Sequence, residues 1–300
     1  MSEWIELSAV ENALNELRGG DSHGSVRATT LNLVVRCADA DQASAAEEVL
    51  DGIGGSRPLR AFVVMPSTGT PRARVASACW QGGGHEVCTE RIQITGSRVA
   101  LPSSVVSLLV ADLPVFVWWQ GEVPAAGDGV LSEIIDMATR FILDSDQSGL
   151  EPVVRIEQLA AGMVDLAWVR TAPWREAIAS LFDGRAQRRA LDRLIGVEVT
   201  GPPNQAALLT GWLRSRLNRQ VGVDVRRAKR LNRVQLRCGD EVFTVERTGR
   251  NQHGTASGPG LPERTVALPA PPLVALLAAE LDRLGAEATF EQALAAAQAA

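Results

Sequence analysis

LLVADLPVFVWWQGEVP, Leu108 to Pro124, decides the fold. Asp112-Leu113-Pro114 stops whatever helix precedes it, because proline disfavours helical backbone at the residue before it. The run Val115 to Trp119 then has no polar side chain, and successive residues of a strand point to opposite faces. A strand that is apolar on both faces belongs in a sheet covered on both sides. The segment is therefore read as an interior strand of an α/β domain.

Working outward, the same signature recurs. Leu31 to Val35 and RAFVVMP (Arg60 to Pro66) read as two-sided strands. Helices precede them: ELSAVENALNEL (Glu6 to Leu17), with Ser8 as cap and Gly19-Gly20 as stop, and ADQASAAEEVLDGI, ended by Gly54-Gly55. RARVASACW (Arg72 to Trp80) and EVCTERIQITG (Glu86 to Gly96) alternate apolar with polar and read as an antiparallel hairpin. LPSSVVSLLVAD and LSEIIDMATRF read as helices, and ILDSD as a strand end followed by a loop. The expected fold is α/β, with a mixed sheet flanked by helices in the N-terminal part, residues 1–164.

Residues 165–300 are expected to form a smaller α+β domain. PWREAIASLFD places Pro173 in a helical first turn, and NQAALLTGWLRSRL reads as a helix capped by Asn204. VGVDVRRAKR, LNRVQLRCGD and EVFTVERTG alternate as strands. Asn251 to Glu263, rich in Gly, Ser and Pro, reads as a mobile loop. A strand and two helices close the chain.

Composition excludes several classes. A net charge of -5 argues against a nucleic-acid partner. No apolar stretch reaches the roughly 18 residues that span a bilayer, and MSEWIELSAV is not a signal peptide, so a cytoplasmic protein without membrane attachment is expected. Four free thiols are the default for Cys37, Cys79, Cys88 and Cys238 in a reducing compartment. Cys79, His85 and Cys88 could meet across the hairpin but lack a zinc spacing, so no metal is expected. His23, His85 and His253 sit beside glycine or turn residues. No phosphate loop, dinucleotide fingerprint or nucleophile elbow occurs, and no cofactor or catalytic residue is expected.

Two readings of the polar residues remain. Asp144 and Asp146 stand at a strand end, where α/β sheets bind ligands. They form an alternative ligand site for a sugar phosphate or nucleotide, against the plainer reading of caps paired with Arg140 or Arg170. Four of the seven Trp fall between Leu108 and Arg175, at Trp118, Trp119, Trp168 and Trp174. Trp and Arg are enriched at interface hot spots. Trp119, Trp168, Arg170, Trp174 and Arg175 are therefore the candidate partner-binding residues.

The segments NLVV, RPLRAFVV, EVCTERIQI, LLVADLPVFVWWQGEVP, RFILDSD, DLAWVRTAPWREAIASLFD and LLTGWLRSRL, in that order, resemble the glucose-6-phosphate dehydrogenase assembly protein family, OpcA. The resemblance implies a non-catalytic assembly factor or allosteric activator, with glucose-6-phosphate dehydrogenase as partner, acting in the oxidative pentose phosphate pathway. In cyanobacterial members cysteines also tie activation to thioredoxin. Here Leu59 stands where a Cys is common in them. Cys88 remains a redox candidate, with Cys79 as its resolving partner.

Overall fold

The computed structural model describes residues 3–19, 25–26, 29–54, 57–82, 85–160, 162–249 and 252–298. Its contacts divide the chain into two units. The first comprises Met1–Leu143, Arg155–Val164 and Pro272–Ala286; the second comprises Asp144–Val154, Asp165–Pro271 and Glu287–Ala300. The segments interleave, so the units are not two consecutive halves of the chain.

The chain opens with β1 (Ile5–Glu6), a 3-10 turn and α1 (Val10–Gly19), then β2 (Ser25–Val26), β3 (Asn32–Arg36), α2 (Ala40–Gly54) and β4 (Arg60–Pro66). The hairpin β5 (Arg72–Gly82) and β6 (His85–Gly96) follows, then α3 (Leu101–Val106), β7 (Val115–Trp119), α4 (Gly129–Met137) and β8 (Arg140–Leu143). After α5 (Ser145–Ser148) and α6 (Leu150–Glu157) comes β9 (Met163–Asp165). Strand order is β1-β5-β6-β4-β3-β7-β8-β9, with β2 beside β6. The pairs β6–β4, β4–β3, β3–β7 and β7–β8 are parallel, and β5–β6 is antiparallel, which makes the sheet mixed.

The apolar runs account for this order. β3, β7 and β8 are buried along almost their whole length, as two-sided strands must be. Leu14 and Arg18 of α1 gather with Cys88 and Glu90 of β6, whereas Glu47 of α2 bonds Arg91 and Gln93. Alternate residues of β6 therefore face different helices, and α1 and α2 cover opposite faces. α3 is shorter than its apolar pattern suggests. The hydroxyls of Ser103 and Ser104 bond the carbonyl of Ala100, and that of Ser107 bonds Ser104, a local alternative to helical pairing. Asp112 adopts φ 62 ahead of Pro114, which resets the chain into β7.

The remaining elements are α7 (Leu166–Arg170), α8 (Ala172–Ser180), α9 (Arg185–Leu191), β10 (Leu194–Gly201), α10 (Pro203–Leu217), β11 (Gly222–Arg227), β12 (Arg233–Cys238) and β13 (Glu241–Arg247). β14 (His253–Gly258), β15 (Leu261–Ala267), α11 (Leu273–Glu280) and α12 (Ala288–Gln298) complete the chain. The second sheet runs β11-β10-β12-β13-β14-β15. Val197, Val199, Val234, Leu236, Phe243 and Val245 on one face are buried among α8 and α10 residues.

Two expectations are corrected. The described part of Asn251 to Glu263 is not a loop but most of the hairpin β14–β15. Its glycines are small for close approach: a Cβ at Gly254 would lie 2.3 Å from the Glu246 carbonyl oxygen, and one at Gly258 would lie 2.3 Å from the Phe243 ring. Asn204 does not cap α10. Pro202 holds the cap position, and the Asn204 amide donates to the Ser145 carbonyl.

Candidate functional site

The polar cluster of the second unit begins where β8 ends. Asp144 is extended and caps α5, accepting the amide of Asp146. Its two oxygens also take both terminal nitrogens of Arg170, at 2.7 and 2.8 Å. Such a bidentate pair fixes geometry as well as charge. Arg170 is delivered by α7, whose cap is Asp165. Asp146 accepts from Gln205 of α10 at 2.6 Å and lies 3.5 Å from Arg170.

Burial sets the proton affinities. Asp146 is raised above the usual carboxylate range by desolvation, against the lowering effect of the Gln205 hydrogen bond. Asp165 is pushed up to about 7 by complete burial, although it accepts the amides of Ser145 and Ala167 at 2.9 Å each. Burial alone would lower Arg170; pairing with Asp144 outweighs it and raises the pKa. Of the two arginines expected beside Asp144, the structure uses Arg170. Arg140 pairs with Glu280 at 2.8 Å in the first unit, both fully buried.

The three tryptophans expected to bind a partner are buried within the fold. Trp168 and Trp174 are 1% exposed and Trp119 3%. The N–H groups of Trp119 and Trp168 and the ring faces of all three are used inside the fold. Trp168 Nε1 donates to Glu287 at 3.0 Å, and the Arg175 guanidinium lies 3.4 Å from its ring centroid. Trp119 Nε1 donates to the Glu122 carbonyl, with Phe141 on one side and Arg36 4.8 Å from its centroid. Arg247 faces Trp174 at 5.7 Å, Arg74 faces Trp4 at 4.1 Å and Arg91 faces Trp80 at 5.7 Å. The Arg–Trp enrichment thus serves internal cation–π pairs. Arg175 is lowered to about 10 by desolvation, opposed by Glu287.

A cleft of about 380 Å3 opens beside this cluster. Asp144, Asp146 and Arg170 form part of its wall; Lys229, Arg230 and Arg247 form another. Both aspartates of the alternative ligand site therefore do line a cavity, already hydrogen-bonded to protein.

The hairpin brings Cys79 and Cys88 into register, and they form a disulfide, so four free thiols is corrected. It occupies the two sulfurs that a metal shared with His85 would need. Cys37 and Cys238 are free and buried, with thiols raised by desolvation to about 12 and about 11. His23 lies outside the described residues.

Sequence reasoning missed one position. Strand order reverses between β3 and β7, the place where open α/β sheets bind ligands. There Arg36 donates to the Gln120 carbonyl at 3.1 Å and Gln120 Nε2 approaches Cys37 Sγ at 3.7 Å. Only the topology could have revealed this, since Arg36 carries no motif. No helix among the described residues is long and apolar enough to cross a membrane.

Residues 51–161 match the family model described as the glucose-6-phosphate dehydrogenase subunit N-terminal domain, and residues 161–294 match the one described as its C-terminal domain. A Nostoc punctiforme protein named OxPP cycle protein OpcA is 29% identical over 84% of this chain and 67% of its own length. Proteins of the same name from Synechocystis and Synechococcus elongatus are 27% and 29% identical over 56% and 55% of this chain. The chain spans only 39% and 38% of the length of those two. Among solved structures, the aldose-aldose oxidoreductase from Caulobacter crescentus complexed with glycerol aligns with 90% of this chain and 95% of that one. Its TM-score of 0.45 and 10% identity carry no argument about function. On the two adjoining domain matches and these relatives, the chain belongs to the OpcA family.

Proposed function

We propose that the protein is a non-catalytic, cytoplasmic partner of glucose-6-phosphate dehydrogenase that promotes the enzyme's active assembly in the oxidative pentose phosphate pathway. The observation that supports this most is the adjoining match to both glucose-6-phosphate dehydrogenase subunit domain models. The cluster geometry agrees with it. Asp144 and Asp165 act as helix caps, and Arg170 is committed to Asp144. Activation by assembly needs only that this protein bind the active state of its partner more tightly than the inactive one. Arg170 and Arg175 then contribute by holding Trp168 and the α5–α7 segment in place rather than by direct contact. Cys79 and Cys88 are the redox couple in this reading, the disulfide marking the oxidised state. The test is titration into purified glucose-6-phosphate dehydrogenase from the same organism, following NADPH formation and the mass of the complex together.

A second reading is favoured by the cleft beside Asp144 and Asp146. It juxtaposes carboxylates suited to sugar hydroxyls with Lys229, Arg230 and Arg247, suited to a phosphate. A thermal-shift screen with glucose 6-phosphate, NADP and nucleotides tests it. A rise for one ligand supports a sensor or enzyme; no rise for any of them removes this reading.

A further inference from the structure

A larger cavity, about 530 Å3, lies in the first unit between α2 and the β4–β6–β5 part of the sheet. It exists because both walls are built of small residues: Ala40, Ala43 and Ser44 on the helix, Ala76 and Ala78 on β5. Its size falls within the roughly 300–1,000 Å3 of small-molecule sites. Met65 and Val75 add apolar surface. Two arginines complete the lining, and both lie on strands, where the backbone fixes them.

These arginines are incompletely paired. Arg91 is 8% exposed; its Nη1 meets Glu47 at 3.1 Å and Asp51 at 2.6 Å, but its Nε and Nη2 are buried and find no acceptor among the described residues. Arg74 lies against the Trp4 ring, and its Nε is likewise buried without an acceptor. Buried N–H groups on a charged side chain favour an acceptor. Glu47 does not compete for a ligand, because Arg91 and Gln93 already engage both its oxygens.

We propose that this cavity binds an amphiphilic organic anion, a molecule with an apolar body and one terminal carboxylate, sulfonate or phosphate. The body fills the alanine-lined space and the anion meets Arg74 and Arg91, with Trp4 stacked on Arg74 at the rim. The site shares no lining residue with the Asp144 cleft.

The experiment uses the full chain and 8-anilinonaphthalene-1-sulfonate, read by fluorescence, with octanoate and octanol as competitors. Saturable dye binding is expected, displaced by octanoate and not by octanol at equal concentration. Arg74→Gln is expected to weaken it by about tenfold, the scale of one charge-assisted hydrogen bond. Ala76→Leu, which fills the cavity from a half-exposed strand position, is expected to abolish it with the melting temperature kept. Equal displacement by octanol, unchanged binding in Ala76→Leu, or no saturable binding overturns the proposal. Should Arg74→Gln fail to fold, Ala76→Leu and the competitor pair still decide it.

Discussion

The two sheets are covered differently, and the difference shows in single side chains. In the first, adjacent residues Trp118 and Trp119 point to opposite faces, yet both are almost fully buried. In the second, Val197, Val234 and Val245 are buried while their strand neighbours Glu198, Gln235 and Glu246 are not. A continuous apolar run thus reports helices on both faces; an alternating one reports a sheet open on one side. Aromatic content alone reports neither, because an Arg stacked on a buried Trp resembles an interface pair in sequence.

The largest effects should come from the two-sided sheet and its support. Trp119→Ala is expected to cost about 3–5 kcal/mol by urea denaturation, and Glu280→Ala a similar amount, because it strands Arg140 as a buried charge. Arg237→Ala on the open face, where the pair with Glu198 is exposed, should cost about 0–1 kcal/mol. Comparable losses at Trp119 and Arg237 would break the distinction.

Arg170→Ala sharpens it next. Asp144 would remain buried without its bidentate partner, at about 2–4 kcal/mol. Lost stability with little change in partner affinity would place Arg170 in the scaffold; the reverse would restore it to a contact surface.

Reducing the Cys79–Cys88 disulfide, which closes a loop of 9 residues, should lower stability by about 2.5 kcal/mol in the chain-entropy account. A thiol-reactive dye should then label two cysteines. Cys37 and Cys238 should stay silent until unfolding, since burial keeps their thiols protonated.

A further expected signal is pH-dependent. Asp165 binds its proton more tightly folded than unfolded, so its contribution to stability is greatest below about 4, falls as pH rises, and levels off above about 7. Asp165→Asn keeps an acceptor for Ser145 and Ala167 and cannot titrate. The difference in melting temperature between the two proteins should therefore shift between pH 4 and 7; a constant difference would mean that Asp165 is ionised throughout.

Much of the fold was legible. β4 runs from Arg60 to Pro66 as the apolar run indicates, and β7 from Val115 to Trp119. The hairpin β14–β15 was not legible, because its small residues reflect the approach of Glu246 and Phe243, partners that sequence spacing does not name. At the site, Asp144 with Arg170 was one of the pairings the sequence allowed. The burial of Trp168 depends on Glu287 and Phe290, more than a hundred residues away.

Titration of this protein into purified glucose-6-phosphate dehydrogenase tests the central claim most directly. The account predicts a defined complex together with a lower apparent Michaelis constant or a higher turnover. Neither a complex nor a rate change, under reducing and oxidising conditions alike, would contradict it.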